Sequence, residues 1–298
     1  MFPYLELMRP SNCLMSSFAV IIGAFLIIGK SLEQFISYQL LLGIVAVFLI
    51  TGAGNAVNDW FDVEADKINR PKRPIPSERV SRNSALIFSI MLFVLGIIMT
   101  GFINWICFAI ALINSTLLVL YSKYLQNKMF IGNAVIAYLT GSTFLFGGAI
   151  MGNIYLPLIL MFLAGFVTFS REIVKDIEDI EGDKLKFLKD AAVKIEKSLG
   201  ERFGISKKGV KLRYSRKTAL TLASISLVFA VTISPLPYLV GILHESYLIT
   251  VIFADLIFLS AIYMLSKCKK SKDFGKVSKR IKIGMFFGLV SFIVGVLL

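Results

Sequence analysis

Nine long apolar runs divide this chain of 298 residues and restrict what it can fold into. Each run is long enough for a helix to cross the hydrocarbon core of a bilayer, which takes about 20 apolar residues. A hydrophobic content of 56% is also outside the usual range of water-soluble domains. The sequence therefore predicts an all-α integral membrane protein with nine transmembrane helices. The predicted helices are 12–29, 37–57, 84–102, 103–121, 131–151, 154–174, 218–242, 246–266 and 281–298.

The distribution of basic residues predicts how these helices are oriented. Tight turns join helices three and four, five and six, and seven and eight, so the longer loops all fall on one side. That side, with the N-terminal tail, carries 31 of the 32 Lys and Arg residues, and only Lys30 lies opposite. Cytoplasmic loops of membrane proteins are enriched in these residues. We therefore expect a multi-pass protein of the cell membrane, with a cytoplasmic N-terminus and an external C-terminus. The loops are 58–83, 122–130, 171–217 and 267–280.

The same topology accounts for the formal net charge of +13, which in a soluble protein would suggest a nucleic-acid partner. We expect no nucleic acid as a partner. The chain has one histidine, His244, in a predicted external turn, and three widely separated cysteines. These counts exclude a histidine-based catalytic site and a metal site built from histidine or cysteine.

One stretch, NAVNDWFDVEADKINRPKRP at 55–74, concentrates acidic residues beside an apolar run. Asp59, Asp62 and Asp66 stand at i, i+3 and i+7, which on a helix places the three carboxylates on one face. Asn58 stands four residues before Asp62 and shares much of that face. Carboxylates clustered beside a bilayer need a positive partner, and hard divalent cations such as Mg²⁺ prefer oxygen ligands. The alternative is a solvated helix end at the membrane surface.

A second stretch, REIVKDIEDIEGD at 171–183, repeats this spacing with Asp176, Asp179 and Asp183. Each of these residues lies 117 positions after its counterpart, and both clusters follow an apolar run. We interpret the two clusters as halves of one metal site at the cytoplasmic ends of two helices.

Basic residues accompany both acidic stretches and indicate what the metal would bind. Carboxylates that hold divalent cations and are surrounded by bases form a site for a diphosphate. An apolar helical bundle beneath such a site suits a long lipid tail. The pattern predicts an enzyme that ionises a lipid diphosphate, although each base could instead be a topology residue. The candidate diphosphate-binding bases are Arg9, Arg70, Arg73, Lys123, Lys128, Arg171 and Lys175.

These motifs resemble those of the UbiA superfamily of intramembrane prenyltransferases. The segment NDWFDVEADKINRPKRPIP is similar to its first motif, NDxxDxxxD followed by an RPxRP-like segment, and DIEDIEGD is similar to its second, DxxDxxxD. YSKYLQNKMFIGN at 121–133 and LMRPSN from Leu7 resemble two further family elements. There are departures: a lysine of the family near position 126 is replaced by Gln126, and a long basic loop follows the second motif.

The resemblance implies a single domain over residues 1–298, in which nine helices surround a central cavity capped by cytoplasmic loops. It also implies Mg²⁺ as cofactor. It implies transfer of a geranylgeranyl group from its diphosphate to the free hydroxyl of geranylgeranylglyceryl phosphate, an activity of archaeal members. The partners would be this donor, a lipid-phosphate acceptor and the surrounding membrane lipids. We assign Asp62, Asp66, Asp179 and Asp183 as catalytic. The implied metal set is Asn58, Asp59, Asp62, Asp66, Asp176, Asp179 and Asp183.

Other interpretations stay open at this point. A prenyltransferase of the same superfamily could act on an aromatic acceptor, and a cation transporter or a lipid-binding scaffold could use the same carboxylates. Transporters usually carry polar residues at the bilayer midplane, whereas here the acids lie mostly at one leaflet. Asn114 and Asn133, within predicted spans, could either bind neighbouring helices or line a cavity.

Overall fold

The computed structural model describes residues 2–29, 37–126, 128–197, 216–268 and 270–298, with the backbone alone for 68, 69, 129 and 180–197. Within these ranges the chain forms twelve α-helices and one π-helical turn, Tyr121–Leu125, and it contains no strand. The helices are α1 Pro3–Met8, α2 Pro10–Ile28, α3 Tyr38–Phe61, α4 Val63–Asn69, α5 Arg82–Gly101, α6 Trp105–Leu120, α7 Met129–Ile150, α8 Tyr155–Lys197, α9 Arg216–Ile233, α10 Leu236–Leu239, α11 Glu245–Lys267 and α12 Ser271–Leu297.

Nine helices in the described part of the chain are long and apolar enough to cross a membrane, which confirms the predicted number. Most boundaries fall within a few residues of the prediction. The last helix is an exception, because α12 begins at Ser271 and not at 281. Phe274, Val277 and Ile281 are fully buried, so the apolar face of α12 continues through a segment rich in lysine. The prediction of a loop at 267–280 was therefore wrong for most of its length.

The sixth span belongs to α8, a helix of 43 residues that would be about 65 Å long. This is far more than a bilayer requires. Because α8 runs without a break through residues 176–183, the second aspartate motif lies on a continuous helix and not in the predicted loop 171–217. The basic stretch after Asp183 was predicted as part of this loop. The backbone is helical through Lys197, but the side chains from 180 onward and all of 198–215 lie outside the described residues.

The helices form two groups that meet where α7 packs against α8 and α2. The first group contains α2, α3, α5 and α6, and the second contains α9, α11 and α12. Where α2 crosses α7, a Cβ on Gly23 would lie 2.0 Å from the carbonyl oxygen of Phe144, and one on Gly147 would lie 2.1 Å from that of Val20. Glycine is therefore required for the close approach of these backbones, as at many helix crossings in membranes.

A cavity of about 490 Å³ lies between α2, α3, α6 and α7, with Met285 of α12 on its far wall. Its lining is largely apolar and includes Val47, Ile50 and Phe146, and its size is typical of a ligand site. Thr51 of α3 also lines it. The same helix leads directly from this wall to the first aspartate motif, which places that motif above the cavity.

Candidate active site

The first motif lies at a break between two helices. Helix α3 ends at Phe61, Asp62 has φ −87° and ψ 6°, and α4 begins at Val63. The break divides the three carboxylates, because Asp59 and Asp66 bind one set of partners and Asp62 binds another. The sequence predicted one helical face for all three carboxylates, whereas Asp62 has hydrogen-bond partners different from those of Asp59 and Asp66. The i, i+3, i+7 spacing predicts a common face only where the helix continues.

Asp59 and Asp66 are buried within an ion-pair cluster. Their relative exposures are 2% and 6%. Arg73 Nη1 donates to Asp59 Oδ1 at 3.0 Å and also to Asp66 Oδ2, and Arg9 donates to Asp59. Two guanidinium groups thus neutralise two carboxylates. Such a pairing is required for charges in an environment where solvation is poor.

Arg9 reaches Asp59 from a strained backbone position. It separates α1 from α2 and has φ 53° and ψ 72°, in the left-handed region that non-glycine residues rarely adopt. The following residue, Pro10, is suited to the first turn of α2. The strain costs on the order of 1–2 kcal/mol, and the ion pair with the buried carboxylate offsets it.

The proline-rich segment after α4 brings Arg73 to the carboxylates. It folds as consecutive turns, and Ile75 and Val80 pack into a small core with Leu7, Ala56 and Ala85. The segment therefore folds back over the end of α3 by burying apolar side chains.

A salt bridge between Arg79 and Glu6 holds the proline-rich segment to the N-terminal helix α1. Arg79 donates to both carboxylate oxygens of Glu6, at 2.8 and 3.1 Å, and to the carbonyl oxygen of Lys72. The hydrogen bond from Arg79 lowers the pKa of the Glu6 carboxyl below its usual value.

Asp62 and Asn58 contact the connection between α6 and α7. Gln126 Nε2 donates to Asp62 Oδ1 at 2.7 Å, and Asn58 Nδ2 donates to Gln126 Oε1 at 3.0 Å. Among the described residues no cationic side chain lies within 4.0 Å of the Asp62 carboxylate. Asp62 is thus held by an amide, and its charge is not neutralised.

The second motif shows the same type of contact at Asp176. Asn133, in the second turn of α7, donates from Nδ2 to Asp176 Oδ2 at 2.8 Å. Asp179 lies one turn further along α8 and is exposed. The described side chains place no cation within 4.0 Å of either carboxylate. The side chain of Asp183 lies outside the described residues.

The two motifs meet at the connection between α6 and α7. The π-helical turn packs against α3, α6 and α7. The Tyr121 hydroxyl in this turn interacts electrostatically with Asp62, Glu172 and Asp176, which come from both motif helices. A π-helical turn within an α-helix is frequently found at a functional site.

The predicted bases occupy different positions. Arg9 and Arg73 contact carboxylates of the first motif. Arg171 and Lys175 pair with Glu172, at 2.6 and 2.8 Å. The Lys123 ammonium lies 4.7 Å from the centre of the Tyr124 ring. Of the predicted bases, Arg70, Lys123 and Lys128 have exposed side chains. Their contacts with a diphosphate stay predictions.

Three site residues were not found from the sequence, namely Tyr121, Gln126 and Glu172. For these three residues, the only signal in the sequence was that Gln126 replaces a lysine of the family. Asn133 was noted, but whether it bound a helix or lined a cavity was left open, and the structure assigns it to the second motif.

The carboxylates that lack a cation fit Mg²⁺ as ligands. Within the described ranges, no three acidic, histidine or cysteine side chains converge on one point. Mg²⁺ does not require such a cage, since it commonly takes one or two carboxylates and completes its shell with water and substrate phosphate oxygens. Asp62 and Asp176 are hard oxygen donors with retained charge, one from each motif.

A second cavity of about 220 Å³ adjoins the first and lies between α7, α8, α9, α11 and α12. Thr140, Phe144 and Met285 line both cavities. Its acidic lining residue is Asp255, which accepts a hydrogen bond from Ser234 Oγ at 2.7 Å. This acid lies in the middle of α11, remote in sequence from both motifs, and it has a neutral partner.

The fold and the site define an intramembrane transferase, with two acidic motifs above an apolar cavity. The chain belongs to the UbiA prenyltransferase family, whose sequence profile matches residues 16–290. It is a multi-pass membrane protein.

Relatives in methanogens are similar over almost their whole length. The digeranylgeranylglyceryl phosphate synthase of Methanococcus maripaludis strain C6 is 43% identical, over 98% of this chain and 97% of the relative. The protein of the same name from Methanococcoides burtonii is 44% identical, over 98% and 99%.

Solved structures share the fold. A structure of digeranylgeranylglyceryl phosphate synthase has a TM-score of 0.82 and 38% identity, covering 99% of this chain and 98% of that one. A UbiA homologue from Archaeoglobus fulgidus bound to GPP and Mg²⁺ has a TM-score of 0.62 at 16% identity, covering 97% and 99%. At that identity the likeness extends to the fold alone.

Proposed function

We propose that this protein transfers a geranylgeranyl group from geranylgeranyl diphosphate to the free hydroxyl of geranylgeranylglyceryl phosphate. The product carries the second ether bond of an archaeal membrane lipid, and diphosphate is released. The observation that carries the proposal is the 43–44% identity, over nearly the full chain, to proteins named digeranylgeranylglyceryl phosphate synthase. The two aspartate motifs above an apolar cavity supply the chemistry that this reaction needs.

In this reaction the bond between the allylic carbon and the diphosphate oxygen breaks, and a carbon–oxygen bond to the acceptor forms. Mg²⁺ bound at the site would neutralise charge on the diphosphate and so make it a better leaving group. Asn58, Asp62, Asp176 and Asp179 are the ligands we propose, with Asp183 added from its spacing. The pairing of Asp59 and Asp66 with arginines favours an architectural role for those two carboxylates.

The bases near the second motif would bind the diphosphate. Arg171 and Lys175 share Glu172 as a partner, and the buried Nε of Arg171 makes no hydrogen bond within the described structure. Both side chains therefore retain donors for a phosphate oxygen. Lys123, Lys128 and Arg70 are exposed near the same end of the bundle and would add positive charge.

The donor tail would occupy the 490 Å³ cavity beneath the first motif. By the distribution of lysine and arginine, the site faces the cytoplasm and the C-terminus lies outside. The lipid-phosphate acceptor would approach from the same leaflet.

An aliphatic hydroxyl is a weak nucleophile, so the reaction would be largely dissociative, with positive charge developing on the allylic carbon. A motif aspartate or the departing diphosphate would take the hydroxyl proton. Fluorine beside the allylic carbon withdraws electrons and should slow the transfer strongly. Equal rates with the fluorinated and the unfluorinated donor would contradict a carbocation-like transition state.

The experiment that tests the function is a transfer assay with purified protein, Mg²⁺ and geranylgeranyl diphosphate. It offers either geranylgeranylglyceryl phosphate or 4-hydroxybenzoate as acceptor. We expect product from the glyceryl phosphate alone, with a rate at least about 100-fold lower in Asp62→Asn and Asp176→Asn. Glu64→Gln removes an exposed acid of the same stretch and should change the rate little.

Transfer to the aromatic acid would retain the chemistry and overturn the acceptor. No transfer to either acceptor by a folded protein would overturn the proposed function. Omitting Mg²⁺ should abolish activity, and its addition should restore it.

A further inference from the structure

One carboxylate of each motif is bound by a neutral amide. In the first motif the partner of Asp62 is Gln126, and in the second the partner of Asp176 is Asn133. Gln126 lies in the short connection between α6 and α7, and Asn133 follows it by seven residues, near the start of α7. This arrangement contrasts with the ion-pair cluster, where guanidinium groups neutralise Asp59 and Asp66.

The π-helical turn and the start of α7 pack so that the two amides have fixed positions. The backbone N–H of Gln126 donates to the carbonyl oxygen of Tyr121 at 2.9 Å and closes the π-helical turn. A Cβ on Gly132 would lie 2.5 Å from the carbonyl oxygen of Leu125, so the first turn of α7 packs directly on the π-helical turn. Asn133 follows Gly132 and is only 7% exposed.

The amide of Gln126 has a second anchor. Its oxygen accepts a hydrogen bond from Asn58 Nδ2, so its NH₂ group is directed at Asp62. An amide bound on both sides in this way restricts rotation of the carboxylate that it contacts. It does so without cancelling the negative charge, which a lysine or arginine would do.

We propose that Gln126 and Asn133 are positioning residues for the divalent cation, holding Asp62 and Asp176 through one oxygen each so that the other oxygen is directed at the metal. The inference rests on the proposed metal-dependent function. In this proposal, the connection between α6 and α7 and the start of α7 together align the two motifs. Hydrogen bonds to ligating carboxylates commonly govern metal affinity, and their loss reduces it about 10- to 100-fold.

The test uses the full-length protein in detergent with excess inorganic pyrophosphate. The melting temperature is followed as Mg²⁺ is added, since a cation that binds the folded state raises it. In Gln126→Met and Asn133→Leu, replacements of similar size without the amide, we expect the Mg²⁺ concentration at half-maximal stabilisation to rise about 10- to 100-fold.

Two matched controls separate positioning from general stability. Gln39→Met makes the same exchange at the opposite end of α3. Asn114→Leu removes the hydrogen bond from the Asn114 amide to Ser142 Oγ, at 2.9 Å. This bond joins α6 to α7 away from the motifs. The controls should leave the Mg²⁺ midpoint unchanged, even where the melting temperature without metal falls.

A double variant tests whether Gln126 acts through Asp62. The Asp62→Asn protein should already have a raised midpoint, and adding Gln126→Met should raise it little further, because coupled residues are not additive. Fully additive effects would overturn the proposal. So would variants whose melting temperature falls without metal while the Mg²⁺ midpoint stays that of the wild type. A wild-type protein that Mg²⁺ does not stabilise would instead overturn the metal site itself.

Discussion

The first aspartate motif lies where two helices meet, and the second lies along one continuous helix. Buried ion pairs with Arg9 and Arg73 hold the first in place. The second is held by apolar packing, since Ile173, Val174 and Ile177 on α8 are all at most 1% exposed. The same i, i+3, i+7 spacing is thus compatible with two different constructions. Spacing alone identifies candidate ligands without revealing how the protein supports them.

The difference has a consequence for the charges. In the first motif two of three carboxylates are neutralised, and Asp62 alone has no cationic side chain within 4.0 Å among the described residues. In the second, the described carboxylates Asp176 and Asp179 have no cationic partner within 4.0 Å. The two motifs therefore differ in how many of their described carboxylates lack a cationic partner, although their spacing in the sequence is the same.

The largest effect should come from removing the central base of the first motif. Arg73→Leu leaves Asp59 and Asp66 buried with too little positive charge, and breaking a buried pair typically costs about 3–5 kcal/mol. Thermal unfolding in detergent would detect a large drop in melting temperature. The control is Lys175→Met in the second motif, where the ion pair is half exposed and should contribute less than about 1 kcal/mol. Equal losses in the two variants would contradict the comparison.

The second motif should respond instead to loss of apolar volume. Ile177 is 1% exposed and lies in a core with Ala219, Phe274 and Val277. We expect Ile177→Ala to destabilise the protein by about 2–5 kcal/mol, through lost burial and a residual cavity. The same unfolding measurement applies. A change below about 1 kcal/mol would mean that packing does not hold this motif.

The strain at Arg9 allows a finer test within the first motif. Both Arg9→Ala and Arg9→Gly lose the ion pair with Asp59, but only glycine adopts φ 53° without steric cost. The glycine variant should therefore be more stable than the alanine variant by about 1 kcal/mol. Comparing their melting temperatures measures the strain directly, and a more stable alanine variant would contradict it.

The smallest effect should come from the exposed pair of Glu6 and Arg79 beside the first motif. Because the hydrogen bond lowers the folded-state pKa of Glu6, the pair stabilises the protein above the unfolded-state pKa. That contribution is lost as the pH falls through the lowered value. Glu6→Gln should therefore reduce the melting temperature slightly at pH 7, and this reduction should shrink as the pH falls below the usual pKa of a glutamate. A difference that persists in acid would argue against this pair.

The sequence by itself determined the nine membrane-crossing helices, because each depends on the length and polarity of one local segment. It also determined both acidic motifs as candidate ligands, because periodic spacing is a local property. The tertiary structure alone decided that α3 breaks at Asp62, that α8 and α12 continue through basic segments, and which partner each carboxylate receives. Arg9 lies 50 positions from Asp59, and Gln126 lies 64 from Asp62. Such contacts depend on how distant helices pack, and no local pattern encodes that packing.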